Sequence, residues 1–177
     1  MQGWSNDMYV PAEDTLFLIE CAKKYHGKWA LEMGTGSGAV AQSLLSNFKN
    51  VVGTDIDLAS LAYCRGKGGV MLVCCDAASA LCGKFDLVVA NPPYLPGDPK
   101  ADATVHGGSA GIETTIHFIE SALSLLSEKE GRMLVIVSSL ADLSALDRFM
   151  REKKLKKRVV AEKALFYERL YAIELTF

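Results

Sequence analysis

Along the chain, short runs of consecutive apolar residues alternate with stretches whose apolar positions recur every three or four residues. The runs are Trp29 to Met33, Val51 to Thr54, Val70 to Cys74, Phe85 to Ala90 and Met133 to Val137, and they predict strands buried on both faces. The stretches Ser37 to Ser46, Leu58 to Arg65, Thr114 to Ser127 and Ala141 to Lys153 predict helices between them. An earlier helix is expected from Asp14 to His26, where Leu16, Phe17, Ile19 and Ala22 follow the acidic pair Glu13-Asp14. Such alternation predicts an α/β fold with a mostly parallel sheet and helices on both faces. The tail breaks the rule, because Lys156 to Ala161 and Leu170 to Phe177 are separated only by Glu162 to Arg169. That leaves no room for a crossover helix, so the seven-stranded sheet is expected to end in an antiparallel hairpin.

The length, 177 residues, suits one domain spanning 1–177. Half of the residues (50%) are hydrophobic and the net charge is −2, which excludes both disorder and a whole-molecule field that gathers nucleic acid or anionic membrane. Five cysteines without a C-x-x-C pair, set apart from the three histidines, give neither a disulfide framework nor a zinc site. The opening residues lack a signal-peptide pattern, and no apolar run reaches the ~18 residues of a membrane span, so a soluble cytoplasmic protein is expected. The one long irregular stretch, Pro92 to Gly111, is rich in Pro and Gly and reads as a functional loop.

Glu32-Met33-Gly34-Thr35-Gly36-Ser37-Gly38 follows a predicted strand and opens a predicted helix, where nucleotide-like ligands meet the carboxyl end of a sheet. Gly34, Gly36 and Ala39 also satisfy the dinucleotide pattern G-x-G-x-x-A, so the segment alone leaves an NAD enzyme open. Asp55 ends the second strand, where a carboxylate can accept from both ribose hydroxyls, and Asp76 ends the third, within reach of an adenine amino group. Helix capping explains either acid as well, although all three elements in register favour a ligand. Glu13 and Thr15 read equally as ligand contacts or as a helix start.

Asn91-Pro92-Pro93-Tyr94 follows the fourth strand and projects from the same sheet edge. Its chemistry suits a planar NH₂ group whose nitrogen lone pair is delocalised. Two acceptors, the Asn91 side-chain oxygen and the Pro92 carbonyl, can bind both N–H groups and aim that lone pair at an electrophilic methyl group. The prolines Pro92 and Pro93 stiffen the loop, and Tyr94 can stack on a flat amide or base and exclude water. His26 and His117 read as ordinary helix residues, and His106 falls in the substrate-side loop.

On these residues the chain resembles the class I S-adenosylmethionine-dependent methyltransferases, and within them the HemK-like N5-glutamine methyltransferases of class I peptide-chain release factors. The opening Tyr9-Val10-Pro11-Ala12-Glu13-Asp14-Thr15 is similar to the start of the short archaeal and eukaryotic branch. The resemblance implies a Rossmann-like class I methyltransferase fold and S-adenosylmethionine as cofactor, with Thr15, Glu32, Gly34 and Gly36 in its pocket. It puts Asp55 on the ribose and Asp76 near the adenine. Asn91, the Pro92 carbonyl and Tyr94 then hold the substrate amide, the glutamine of the release factor's Gly-Gly-Gln loop. A small zinc-binding activator protein is implied as a partner. The apolar run Val70 to Cys75 is unusual for an edge strand and invites pairing with another chain. One departure is Gly107-Gly108-Ser109-Ala110-Gly111, where Ala110 replaces the family's polar residue.

Three alternatives stand beside this reading. Adenine-N6 methylation of DNA or RNA uses the same amine geometry, but it needs a surface to hold and expose the base. The basic run Arg151 to Arg158 is better read as a solvated helix end, and nucleic acid is not expected as a partner. A non-catalytic cofactor-binding subunit is the second, and a dehydrogenase the third.

Overall fold

The computed structural model describes residues 12–127 and 130–177; the opening Tyr9-Val10-Pro11 lies outside them. Among the described residues the strands are β1 (Gly27–Met33), β2 (Phe48–Asp55), β3 (Met71–Cys74), β4 (Leu87–Ala90), β5 (Arg132–Ser138), β6 (Lys156–Ala164) and β7 (Arg169–Thr176). They form one seven-stranded sheet in the order β3-β2-β1-β4-β5-β7-β6. The first five strands are parallel. β7 runs antiparallel to both β5 and β6, as the short tail connection requires. Strand order changes direction between β1 and β4, which opens a crevice at their carboxyl ends.

The continuous apolar runs have a simple cause, because alternate side chains enter two separate cores. Leu31, Met33, Val88, Ala90, Met133 and Val135 pack on one face with Ile119 of α4 (Glu113–Ala122) and Leu146 and Phe149 of α5 (Leu143–Glu152). On the other face Ala30, Val51, Leu87, Val89, Leu134 and Ile136 meet Phe17 and Leu18 of α1 (Glu13–Ala22) and Val40 and Leu44 of α2 (Ala39–Leu44). Near the edge strand β3 lies α3 (Leu58–Arg65). β3 itself leaves Met71 43% exposed, so the apolar edge anticipated from the sequence is present.

Several boundaries differ from the sequence reading for identifiable reasons. The first helix stops at Ala22 rather than His26, because the Asn47 side chain donates to the carbonyls of Lys23 (2.9 Å) and Tyr25 (3.0 Å) and draws the chain into β1. His26 is therefore not a helix residue; it leads into β1. The second helix begins at Ala39 because Gly36 and Gly38 hold positive φ of 47° and 73°. The fourth ends at Ala122 and tightens into a 3₁₀ turn over Leu123–Leu125. Asp142 sets the start of α5 by accepting from the Ala145 N–H at 3.0 Å. β6 is longer than expected, reaching Ala164 with an irregularity between Val159 and Ala161, and Leu165 donates to the Glu168 carbonyl across the hairpin tip at 2.8 Å.

β7 is fastened by a buried carboxylate. Glu174 is 7% exposed and accepts from the Tyr25 hydroxyl at 2.8 Å and from two Arg158 nitrogens at 2.8 and 3.0 Å, with Arg132 at 3.5 Å. A carboxylate so enclosed persists only with such partners. No helix among the described residues is long and apolar enough to cross a membrane.

Candidate active site

A cavity of about 1120 Å³ opens where β1 and β4 diverge, and its lining includes residues from both sides of that divide. On the β1 side the glycine-rich turn is held by side chains that reach back into it. Glu32, at the end of β1, accepts through one carboxylate oxygen from the Thr35 hydroxyl (2.6 Å) and the Ala41 N–H (2.7 Å). The turn is thereby tied to the first turn of α2. Burial, with a smaller contribution from the nearby Asp55 charge, pushes the Glu32 carboxyl up to about 8 against those two hydrogen bonds. Gly34 has a φ of 66°, a backbone conformation that favours glycine, and a Cβ there would just touch the Phe118 ring at 3.4 Å.

Asp55 accepts from the Gly36 N–H at 2.8 Å through one carboxylate oxygen and from the Asp57 N–H at 2.9 Å through the other. Each oxygen keeps a second lone pair, so the carboxylate can hold the turn and still accept two hydroxyl donors. Asp57 caps α3 through Ser60 and Ala59, and those hydrogen bonds hold its carboxyl below the usual range. Asp76 lies two residues beyond β3, and its Oδ1 is 2.9 Å from His117 Nε2 on α4. His117 is thus a helix residue with a specific partner at the cavity, more than the sequence reading granted it.

The β4 side is assembled across long stretches of sequence. Asp14, in the first turn of α1, uses Oδ1 to accept from the Thr15 N–H (2.6 Å). Its Oδ2 accepts from Asn91 Nδ2 at 2.9 Å and from the Tyr94 hydroxyl at 3.1 Å. An ionised carboxylate only accepts, so Asn91 must present its NH₂ to Asp14 and turn its carbonyl oxygen the other way. That oxygen, Asn91 Oδ1, is buried without a hydrogen-bond partner. An orphaned buried acceptor costs about 1–3 kcal/mol, so this one, on a residue that lines the cavity, marks where a donor belongs.

Behind Asn91 the loop backbone packs too closely for side chains. A Cβ on Gly107 would lie 2.2 Å from the Pro93 carbonyl oxygen, and one on Gly111 2.7 Å from that of Tyr94. Glu113 gathers this segment by accepting from the Ser109 hydroxyl and the N–H groups of Ala110 and Ile112. Burial pushes the Glu113 carboxyl up, but these bonds outweigh it and hold the group below its ordinary range. Ala110 works through its backbone, since its carbonyl also accepts from the Asp142 N–H at 2.9 Å while its methyl packs on the core. His106 lines the cavity and contacts the Asp98 carbonyl at 3.2 Å, bracing the loop over Gly97.

Thr15, Glu32, Gly34, Gly36, Asp55, Asp76, Asn91, Pro92, Pro93 and Tyr94, all singled out from the sequence, line this one cavity, whereas Glu13 starts α1 and meets Lys163 instead. Asp14 was missed. Its only sequence signal is an acid in a helix first turn, while its partners Asn91 and Tyr94 lie 77 and 80 residues away. Phe118 was missed as well, because an aromatic on a helix is indistinguishable from core.

The chain matches the model of the methyltransferase small domain over residues 13–167. A protein of Methanocaldococcus jannaschii, provisionally named a protein N5-glutamine methyltransferase, is 27% identical over 179 residues, covering 94% of this chain and 90% of that one. The release factor glutamine methyltransferase of Bradyrhizobium diazoefficiens is 35% identical over 108 residues, covering 52% of this chain and only 36% of its own length. This chain thus aligns with about a third of that bacterial relative. Among solved structures, the E. cuniculi Mtq2-Trm112 complex, described as responsible for methylation of the eRF1 translation termination factor, matches with a TM-score of 0.80 at 26% identity, covering 94% of this chain and 96% of that one. The family match spans α1 through the tip of the β6–β7 hairpin, the glycine turn and the cavity residues included, and the chain belongs to the methyltransferase small domain family.

Proposed function

We propose that this chain transfers the methyl group of S-adenosylmethionine to the side-chain nitrogen of a protein glutamine, the acceptor being the Gly-Gly-Gln loop of a class I peptide-chain release factor. The observation that carries this reading is the buried, unpartnered Asn91 Oδ1, turned away from Asp14 on a residue that lines the cavity shared with the glycine turn. A carboxamide NH₂ has two hydrogens and a delocalised lone pair. Asn91 Oδ1 accepts one hydrogen and the Pro92 carbonyl the other, which localises the lone pair and fixes its direction. Tyr94, its hydroxyl held by Asp14, packs on the flat amide and keeps water out. The gain is in orientation and charge placement. The nitrogen would bond the methyl carbon as that carbon's bond to the sulfonium sulfur breaks to leave the neutral thioether. One N–H proton would pass to solvent, without a strong base or a covalent enzyme intermediate.

Thr15, Gly34, Gly36, Asp55 and Asp76 would hold the cofactor, with Glu32 fixing the turn beneath it. When bound, the cofactor supplies an electrophilic methyl group on a sulfonium sulfur. The residues fit that group: the glycines leave space for close approach, and both Asp55 oxygens retain acceptor capacity. The names carried by the archaeal, bacterial and microsporidian relatives support the glutamine as acceptor.

The same reading makes residues 1–177 one catalytic domain working in the cytoplasm. It also gives the chain a small zinc-binding activator as partner, with the exposed apolar edge of β3 as the surface that pairs with it. Labelled methyl transfer to a release factor with a native Gly-Gly-Gln loop, and none to its Gln→Ala form, is the expected result. Label on neither protein, with cofactor binding established by calorimetry, overturns the substrate assignment. Addition of the activator is expected to raise the rate, and no gain with the purified chain monodisperse overturns that partnership.

A further inference from the structure

The tip of the β6–β7 hairpin carries an exposed aromatic pair that neither the cores nor the cavity uses. Phe166 is 90% exposed and Tyr167 85%, with their rings edge to face at 4.6 Å. The tip is anchored on three sides. Lys163 reaches the carboxylate and the carbonyl of Glu13 at 3.4 and 3.2 Å, the Ser138 hydroxyl donates to Glu168, and Leu165 closes the turn on Glu168. Two large aromatics held in water on a fixed turn expose apolar area that is costly unless it is covered.

Their position says by what. β7 is antiparallel to β5, so the hairpin tip stands at the carboxyl edge of the sheet, the edge that carries Asn91. Asn91 is level with Ala172 of β7, so two strand spacings and about five residues of rise separate it from the tip, roughly 19 Å at ~4.8 Å per strand and ~3.3 Å per residue. The connection between them is continuous: the Lys163 partner Glu13 adjoins Asp14, which holds Asn91 and Tyr94. The cofactor side of the cavity lies in the opposite direction, over β2 and β3.

Resting on the proposed glutamine transfer, we propose that Phe166 and Tyr167 form a docking surface for the polypeptide that carries the acceptor glutamine. They grip substrate residues about five to seven positions from it, the number an extended chain needs to cross that gap. A nucleic acid is disfavoured by charge. The cations beside the tip, Lys163 and Arg169, are already paired with Glu13 and Glu162, and Glu168 adds a further negative charge facing an incoming phosphate. Exposed aromatics of fixed geometry are what protein interfaces use as anchors.

The test compares the full-length protein with its F166A/Y167A variant on an intact release factor and on a short peptide holding only the Gly-Gly-Gln sequence. The double variant is expected to raise KM for the intact factor by at least about tenfold, with kcat within about twofold, leaving the short peptide and cofactor affinity unchanged. An unchanged KM for the intact factor, from a variant with wild-type melting temperature, overturns the docking surface alone. Absence of transfer by the wild type overturns the underlying reading instead. As a check independent of truncation, p-benzoylphenylalanine in place of Tyr167 is expected to cross-link to the factor within that span of the glutamine. Cross-links to residues 1–11 of the same chain, to a second copy, or to RNA overturn the proposal.

Discussion

The two sides of the cavity are built by opposite means. On the β1 side the turn is held mostly by near neighbours: Glu32 holds Thr35 and Ala41, and Asp55 holds Asp57, with longer ties from Asp55 to Gly36 and from Asp76 to His117. On the β4 side Glu113 shapes the loop locally, but the aim of its key side chain comes from afar. Asn91 is aimed by Asp14 from the first helix, and Ala110 is held partly by Asp142 from beyond β5. A site made of short-range contacts tolerates change elsewhere in the molecule, whereas one made of cross-braces depends on how distant elements dock. Cofactor affinity should therefore be robust to distant substitutions and turnover sensitive to them.

Asn91→Ala breaks the comparison most sharply. It is expected to lower kcat by about 100-fold to 1000-fold, as loss of an aligned polar group at the reacting atoms does, while cofactor affinity measured by calorimetry stays within about twofold. Equal losses in both would dissolve the division between the two sides. Asp55→Ala should do the reverse, weakening cofactor binding about 10-fold to 100-fold through loss of two charge-assisted acceptors while leaving much of kcat at saturating cofactor. A full kcat loss at saturation would show that its hold on Gly36 matters more than its contact with ligand.

Asp14→Asn tests the cross-brace itself. Its side chain can now donate, so Asn91 is no longer forced to turn Oδ1 toward the substrate, and kcat is expected to drop about tenfold with KM for cofactor unchanged. An unaffected kcat would mean that packing alone orients Asn91. The last test reads stability instead of turnover. Because the native Glu32 carboxyl titrates at about 8, above its unfolded value near 4.5, the folded protein binds the extra proton between those values. Stability should then fall as pH rises through that window, and Glu32→Gln should flatten that part of the profile in denaturant melts. A slope unchanged by the substitution would assign it to another group.

The same contrast governs what could be read in advance. The glycine turn, Asp55 and Asn91-Pro92-Pro93-Tyr94 were legible because each combines a strand end with chemistry in consecutive residues. The parallel core with its antiparallel ending followed from run lengths and from the short gap before β7. Apart from α3, whose bounds Leu58–Arg65 match the sequence reading, helix ends were not legible: α1 is terminated by Asn47, a residue in a later turn. Asp14 was visible only as a helix-start acid, and His117 only as a helix residue, because their partners come from other parts of the chain. Periodicity reports what a residue buries against in general and is silent about which side chain it meets.

The position of β7 has a consequence for how the molecule is made. It follows β6 in the chain yet inserts between β6 and β5, and its Glu174 locks Tyr25, just beyond α1, to Arg158 on β6. A ribosome extrudes β1 through β5 first, but one side of β5 has no partner strand until β7 has emerged. During synthesis the glycine turn can assemble early, whereas the housing around α1, and with it the brace from Asp14 to Asn91, waits for this strand. Nascent chains halted before β7 would therefore expose one open edge of the strongly apolar β5.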